Sequence, residues 1–208
     1  MIKDKMGDKW RSNMIILGKR HDLFTLNTFE YLIKNGAHIH ADDDDALKYS
    51  AENGHLNIVK YLIEGGANID AGDNSTVKGN VLSYGAINGH LDIVKYLIER
   101  GANIHAHDNS ALRYSAQNGH LDVVKYLIEN GADIHAGNDY AFRYSAQYGH
   151  LVIARYLMEN GADIHANDSY SLSTQYVHRD TVKYLIKNGA YYACLCACAY
   201  GIYNICIK

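Results

Sequence analysis

Apolar positions along this chain follow a helical spacing that keeps returning. Leu112, Ser115, Ala116 and Gly119 fall at i, i+3, i+4 and i+7. That is one face of a short helix, and its small side chains admit a close neighbour. Ser110 suits the N-cap of this helix, and Asn118-Gly119 supplies a left-handed stop. Leu121, Val124, Leu127 and Ile128 form the apolar face of a second helix, opposite Asp122, Lys125, Tyr126 and Glu129. Asp122 sits in the first turn, where a negative charge complements the helix dipole. Asn130-Gly131 ends that helix, and Ala132 to Ala136 form an extended link.

The second half of this pattern, GHLDVVKYLIENGADIHA from Gly119, recurs. It reads GHLDIVKYLIERGANIHA from Gly89, GHLNIVKYLIEGGANIDA from Gly54 and GHLVIARYLMENGADIHA from Gly149. The Tyr-Leu-Ile/Met triplet begins at Tyr31, Tyr61, Tyr96, Tyr126, Tyr156 and Tyr184, with spacings of 30, 35, 30, 30 and 28 residues. The Gly-Ala pair repeats the series from Gly36 to Gly189. Six copies at a near-fixed period predict a repeat array. Two helices this short cannot bury their own apolar faces, and stacking copies side by side solves that.

On the phrase Gly-His-Leu-x-Ile/Val-Val-Lys-Tyr-Leu-Ile-Glu-x-Gly-Ala-x-Ile-x-Ala the chain resembles the ankyrin repeat, over about residues 26–190. The wording YLIENGADIHA on a 30-residue period is similar to the large, mimivirus-like ankyrin families of giant DNA viruses. The resemblance implies an all-α class: an ankyrin-repeat solenoid of stacked helix-turn-helix units with short or clipped β-turn fingers. It divides the chain into an N-terminal extension with a degenerate first helix (1–25), an array (26–190) and a truncated seventh repeat acting as C-terminal cap (191–208). Within the array we expect units ending near 41, then 42–71, 72–106, 107–136, 137–166 and 167–194.

The departures are informative. The family repeat has about 33 residues, and its first helix opens on Thr-Pro-Leu-His. Here the openings are Asp45-Ala-Leu-Lys, Asn80-Val-Leu-Ser, Ser110-Ala-Leu-Arg, Tyr140-Ala-Phe-Arg and Tyr170-Ser-Leu-Ser, and the chain has no proline. The missing residues fall where the family forms its β-hairpin finger, so a clipped turn is expected in the short repeats. The insertion Thr76 to Asn80 makes 72–80 the one full-length finger.

Composition narrows the partners. A formal net charge of −3 gives no basic surplus to drive nucleic-acid or anionic-membrane binding. No signal peptide or membrane-spanning run is visible. The four cysteines, at 194, 196, 198 and 206, lie outside the repeats, so no disulfide framework is expected. We expect an intracellular protein, working in the host cytoplasm as a monomer.

Candidate chemistry is sparse. Twelve histidines include two ladders: His55, His90, His120 and His150 after glycine, and His40, His105, His135 and His165, with Asp70 filling the remaining rung. Successive rungs one helical layer apart, about 8–10 Å, are too far apart to share an ion. Bracing of turns and links is expected instead. Cys194, Cys196 and Cys198 lack the second pair of a zinc site and read as small buried groups of the cap. Asp42 to Asp45 lack the pattern of a calcium loop. The Lys60, Lys95, Lys125, Arg155 and Lys183 ladder interleaves with Asp and Glu as a solvated face. No catalytic spacing appears, so we expect no enzyme, no cofactor and no metal.

The resemblance implies instead a role in protein recognition, and the expected partner is an unidentified host protein. The resemblance implies that partners are gripped by the turns and by the two residues before each Gly-His. Carried over by position, those are Glu52-Asn53, Ile87-Asn88, Gln117-Asn118 and Gln147-Tyr148, with turn positions at Asp139-Tyr140 and Ser169-Tyr170 among others. The expected partner-binding residues are Ile87, Asn88, Gln117, Asn118, Asp139, Tyr140, Gln147, Tyr148 and Tyr170. These positions vary while the scaffold repeats, and exposed aromatic and apolar groups anchor interfaces. The competing expectation is a worn member of a duplicated family with no specific partner. Viral ankyrin proteins often add an F-box-like module. With about 25 residues before the array and about 18 after it, we expect none here.

Overall fold

The computed structural model describes residues 25–36, 38–40, 43–72, 79–163 and 187. The expectations for residues 1–24, the finger tip at 73–78, Tyr170, the cysteines and the C-terminal cap lie outside these residues. Among the described residues there are nine helices and no strand. They are α1 (Leu26–Lys34), α2 (Asp45–Glu52), α3 (Leu56–Glu64), α4 (Val81–Ile87), α5 (Leu91–Glu99), α6 (Ala106–Asn118), α7 (Leu121–Glu129), α8 (Ala136–Gln147) and α9 (Leu151–Glu159).

The chain divides into two compact units, Met1–Asn103 and Ile104–Lys208. In the first, α2 packs on α4 and α3 on α5. In the second, α6 packs on α8 and α7 on α9. The architecture is all-α and repetitive, each repeat being a helix, a glycine turn and a second helix.

The apolar stripe decides which side goes inward. In the second unit Leu112, Val124, Leu127 and Leu157 are 0–1% exposed, as are Leu47, Leu62, Leu82 and Leu97 in the first. Each fully buried leucine contributes about 1.5–3 kcal/mol relative to exposure. The small residues do what their size predicts: Ala51, Ala86, Ala116 and Ala146 are buried on the first helix of each pair. The buried serines beside them donate into their own helix, Ser50 to Ala46 O at 2.6 Å, Ser115 to Leu112 O at 3.1 Å and Ser145 to Phe142 O at 2.9 Å. No hydroxyl among these three is left unsatisfied, which would cost about 1–3 kcal/mol.

The expected stops are in place. Gly119 has φ +88°, and His120 N donates to Ser115 O at 3.0 Å across the turn. Asn130 ends α7 with its side-chain amide on Tyr126 O at 2.8 Å, and Ala132 N closes on Leu127 O at 3.0 Å. Ser110 departs from expectation. It is buried and lies within α6, because the turn delivers Asn109 one position earlier as the residue before the regular helix.

The clipped fingers are tight left-handed turns. His107, Asp108 and Asn109 have φ of +51°, +57° and +53°; Gly137, Asn138 and Asp139 have +61°, +60° and +55°. Left-handed backbone costs a non-glycine residue about 1–2 kcal/mol, least for Asn and Asp. That explains the residue types chosen here. In the long repeat, Gly72 and Asn80 instead form an antiparallel bridge at the base of the finger, and Val81 N donates to Ala71 O at 3.0 Å.

Candidate partner-binding face

The two histidine ladders brace the stack. In the Gly-His ladder, His90 Nε2 donates to Glu52 O and His150 Nε2 to Gln117 O, each at 3.0 Å, one repeat back. Each ring lies over the glycine of the earlier repeat. A Cβ on Gly54 would stand 2.7 Å from His90 Cε1, and one on Gly119 2.6 Å from His150 Cε1. These glycines therefore make room for a ring as well as a turn.

The second ladder holds the clipped turns. His40 meets Asp44 at 3.0 Å, His105 meets Asn109 at 3.2 Å and His135 meets Asp139 at 3.0 Å. The oxygen so held also accepts the next link: Asp133 N donates to Asn109 Oδ1 and Asp163 N to Asp139 Oδ1, both at 2.9 Å. Asp70, the rung without histidine, precedes the lengthened finger. Its own carboxylate accepts Asn103 N at 2.9 Å. Among the described residues no group of three or more His, Cys, Asp or Glu is arranged to hold a metal ion.

The first helices of the repeats carry a different population. In the second unit, Tyr140, Tyr144 and Tyr148 run one turn apart along and beyond α8. Ring centroids are 3.9 Å apart between Tyr140 and Tyr144 and 6.3 Å between Tyr144 and Tyr148. Tyr114 of α6 meets Tyr140 edge-on at 5.6 Å. The Tyr140 hydroxyl donates to Gln117 Oε1 at 2.6 Å, tying α8 to α6. Burial, followed by the neighbouring Tyr114 and Tyr144 hydroxyls, pushes the Tyr140 phenol well above its ordinary range.

Two arginines complete this shelf. The Arg113 guanidinium lies 4.7 Å from the Tyr140 ring centre, and that of Arg143 lies 5.7 Å from Tyr144. Arg113 Nη1 pairs with Asp108 at 2.9 Å and also donates to Asp108 O. Arg143 donates Nε to Asn138 O at 2.8 Å and Nη2 to Gly137 O at 3.0 Å. Each arginine thus fastens a left-handed turn to the helix that follows it.

The expected partner residues fall into three groups. Gln117, Tyr140 and Tyr148 belong to the shelf, with Gln147 and Asn118 at the adjoining helix ends; Tyr148 is 46% exposed. In the first unit, Ile87 is half-buried at the end of α4, and Asn88 is exposed with its amide on Tyr84 O at 2.9 Å. Asp139 is 4% exposed and its carboxylate is committed to His135 and Asp163 N, so its side chain serves the turn rather than the surface. Sequence reasoning missed Arg113, Tyr114, Arg143 and Tyr144. They lie in the repeated Arg-Tyr-Ser-Ala-Gln phrase; the signals were the helical spacing of Tyr140, Tyr144 and Tyr148 for Tyr144, and the arginine that ends the openings Ser110-Ala-Leu-Arg and Tyr140-Ala-Phe-Arg.

A family model for ankyrin repeats, in three copies, matches residues 21–108 and again 82–168, most of the chain. The chain belongs to the ankyrin repeat family. Ankyrin repeats are generally protein–protein interaction modules. Among curated proteins, one named as an ankyrin repeat protein of Acanthamoeba polyphaga mimivirus is 39% identical over 56 residues, 27% of this chain and 27% of its own. A second from that virus is 50% identical over 44 residues, 21% of this chain and 16% of the relative. An uncharacterized protein of the same virus is 44% identical over 45 residues, 22% of this chain and 33% of that one. The chain therefore spans a third or less of each relative's length. Among the described residues no helix of this ankyrin protein is long and apolar enough to cross a membrane.

Proposed function

We propose that this chain is a non-enzymatic recognition module that binds a host protein inside the cell. The docking surface we assign is the first helices and turns of the second unit: Gln117, Asn118, Tyr140, Gln147 and Tyr148, together with Tyr114 and Tyr144. Ile87 and Asn88 are the corresponding candidates of the first unit. The observation that carries the reading is the four-tyrosine shelf, which ends on an exposed ring at Tyr148. Tyrosines held by neighbours and exposed on one side give large contact area at small entropic cost.

The test is capture with the tagged chain in its native cell context, comparing wild type with Tyr144→Ala/Tyr148→Ala after circular dichroism shows equal helix content. A protein retained by wild type and lost by the variant, and then reproduced with purified components, is the expected result. Identical captured sets from two folded proteins would overturn this face and leave another face, the finger at 72–80, or a chain without a specific partner.

A further inference from the structure

We propose that the shelf of the second unit receives an extended acidic peptide segment of the partner, with an Asp or Glu carboxylate pairing with Arg143 beside Tyr144 and Tyr148. This rests on the reading of that face as the docking surface and adds the chemistry of what docks there.

Charge decides it. Arg143 makes its two hydrogen bonds to the carbonyls of Gly137 and Asn138, and no carboxylate pairs with it among the described residues. Its guanidinium is held by those carbonyls and by the Tyr140 and Tyr144 rings, 6.0 and 5.7 Å away, while Nη1 makes no hydrogen bond there. A cation already fixed in place loses little freedom when a carboxylate arrives. Residues 110–118 and 140–148 contain no Asp or Glu. The matching helix of the first unit differs. There 45–53 carries Asp45 and Glu52, and its cation Lys48 is taken by Asp45 at 2.8 Å. A positive charge without a carboxylate partner among the described residues, set beside aromatic faces, fits a carboxylate with an apolar or aromatic neighbour lying on the rings. It does not fit a nucleic-acid strand, which needs a track of cations along its backbone; Arg113, the next cation on the shelf, is paired with Asp108.

The test is selection of short random peptides displayed on phage against the immobilised full chain, followed by fluorescence anisotropy with the winning synthetic peptide. We expect net-negative winners. Their affinity should fall about tenfold when Asp and Glu become Asn and Gln, and by a similar factor for Arg143→Gln. Because Arg143→Gln also removes the clamp on the turn, two further readings stand beside it: loss of affinity with added salt on the wild type, and loss in Tyr148→Ala, whose ring is exposed. Neutral or basic winners that still need Tyr148 would overturn the acidic assignment and leave the docking face standing. Winners indifferent to both Tyr148→Ala and Arg143→Gln, or no winners at all, would overturn both.

Discussion

Replacing Gly119 by alanine puts two separate demands on the second unit. The backbone there has φ +88°, which costs an alanine about 1–2 kcal/mol. The new Cβ would also stand 2.6 Å from His150 Cε1 and 2.8 Å from Nδ1, so the ring must leave. Its departure breaks the 3.0 Å bond to Gln117 O, a further loss of about 1 kcal/mol or somewhat more. Gly131 supplies the control: φ is +94°, yet nothing lies within 4 Å of a Cβ there, so Gly131→Ala carries the backbone cost alone. Gly119→Ala should therefore destabilise by about 2–4 kcal/mol and Gly131→Ala by about 1–2 kcal/mol. Urea unfolding followed by circular dichroism reads both. A cycle with His150→Ala isolates the ring, since the excess cost of Gly119→Ala should vanish once the imidazole is gone. Equal losses at the two glycines, or an excess that survives in the His150→Ala background, would refute the brace.

Asp139→Asn should be tolerated within about 1 kcal/mol, because Asn109 fills the equivalent place, whereas Asp139→Ala removes the acceptor for Asp163 N and should cost about 1–3 kcal/mol in thermal melts. Tyr96 is 8% exposed and its buried hydroxyl has no hydrogen-bond partner among the described residues, so Tyr96→Phe should leave Tm unchanged or raise it; a clear fall would contradict that. The Tyr140 phenol is raised in the folded state, mainly by burial, so it stays protonated where an unfolded tyrosine ionises. Its contribution to stability is thus whole below about pH 10 and declines as pH rises above that. Tyr140→Phe should flatten this alkaline decline in denaturation series, and an unchanged slope would count against the burial argument.

The repeat, its glycine stops and the clipped fingers were legible because they rest on local rules: helical periodicity, left-handed glycine and loop length. The pairing of His135 with Asp139 was not, since it needs three successive left-handed residues to bring i and i+4 together outside a regular helix. Asp70 looked like a substitution in a histidine ladder; ahead of the longer finger it accepts the next link, Asn103 N, as Asn109 and Asp139 of the clipped turns do in their repeats. Ser110 misled because a serine before a helix suggests a cap, while the turn had already placed Asn109 there. The shelf was half visible. Tyr140 and Tyr148 stood out as variable positions, but Tyr114 and Tyr144 hid within a repeated phrase that reads as scaffold. Repetition marks what the stack needs and also whatever surface every repeat presents, and only the packing tells these apart.

The central claim is that the first-helix face of the second unit recognises a protein ligand. The most direct test is calorimetric titration of the purified chain with the selected acidic peptide, in wild type, Tyr148→Ala and a control on the second helix α7, Lys125→Ala. The account predicts affinity weakened about tenfold by Tyr148→Ala and unchanged by Lys125→Ala. Equal affinity in wild type and Tyr148→Ala, or loss confined to Lys125→Ala, would contradict it.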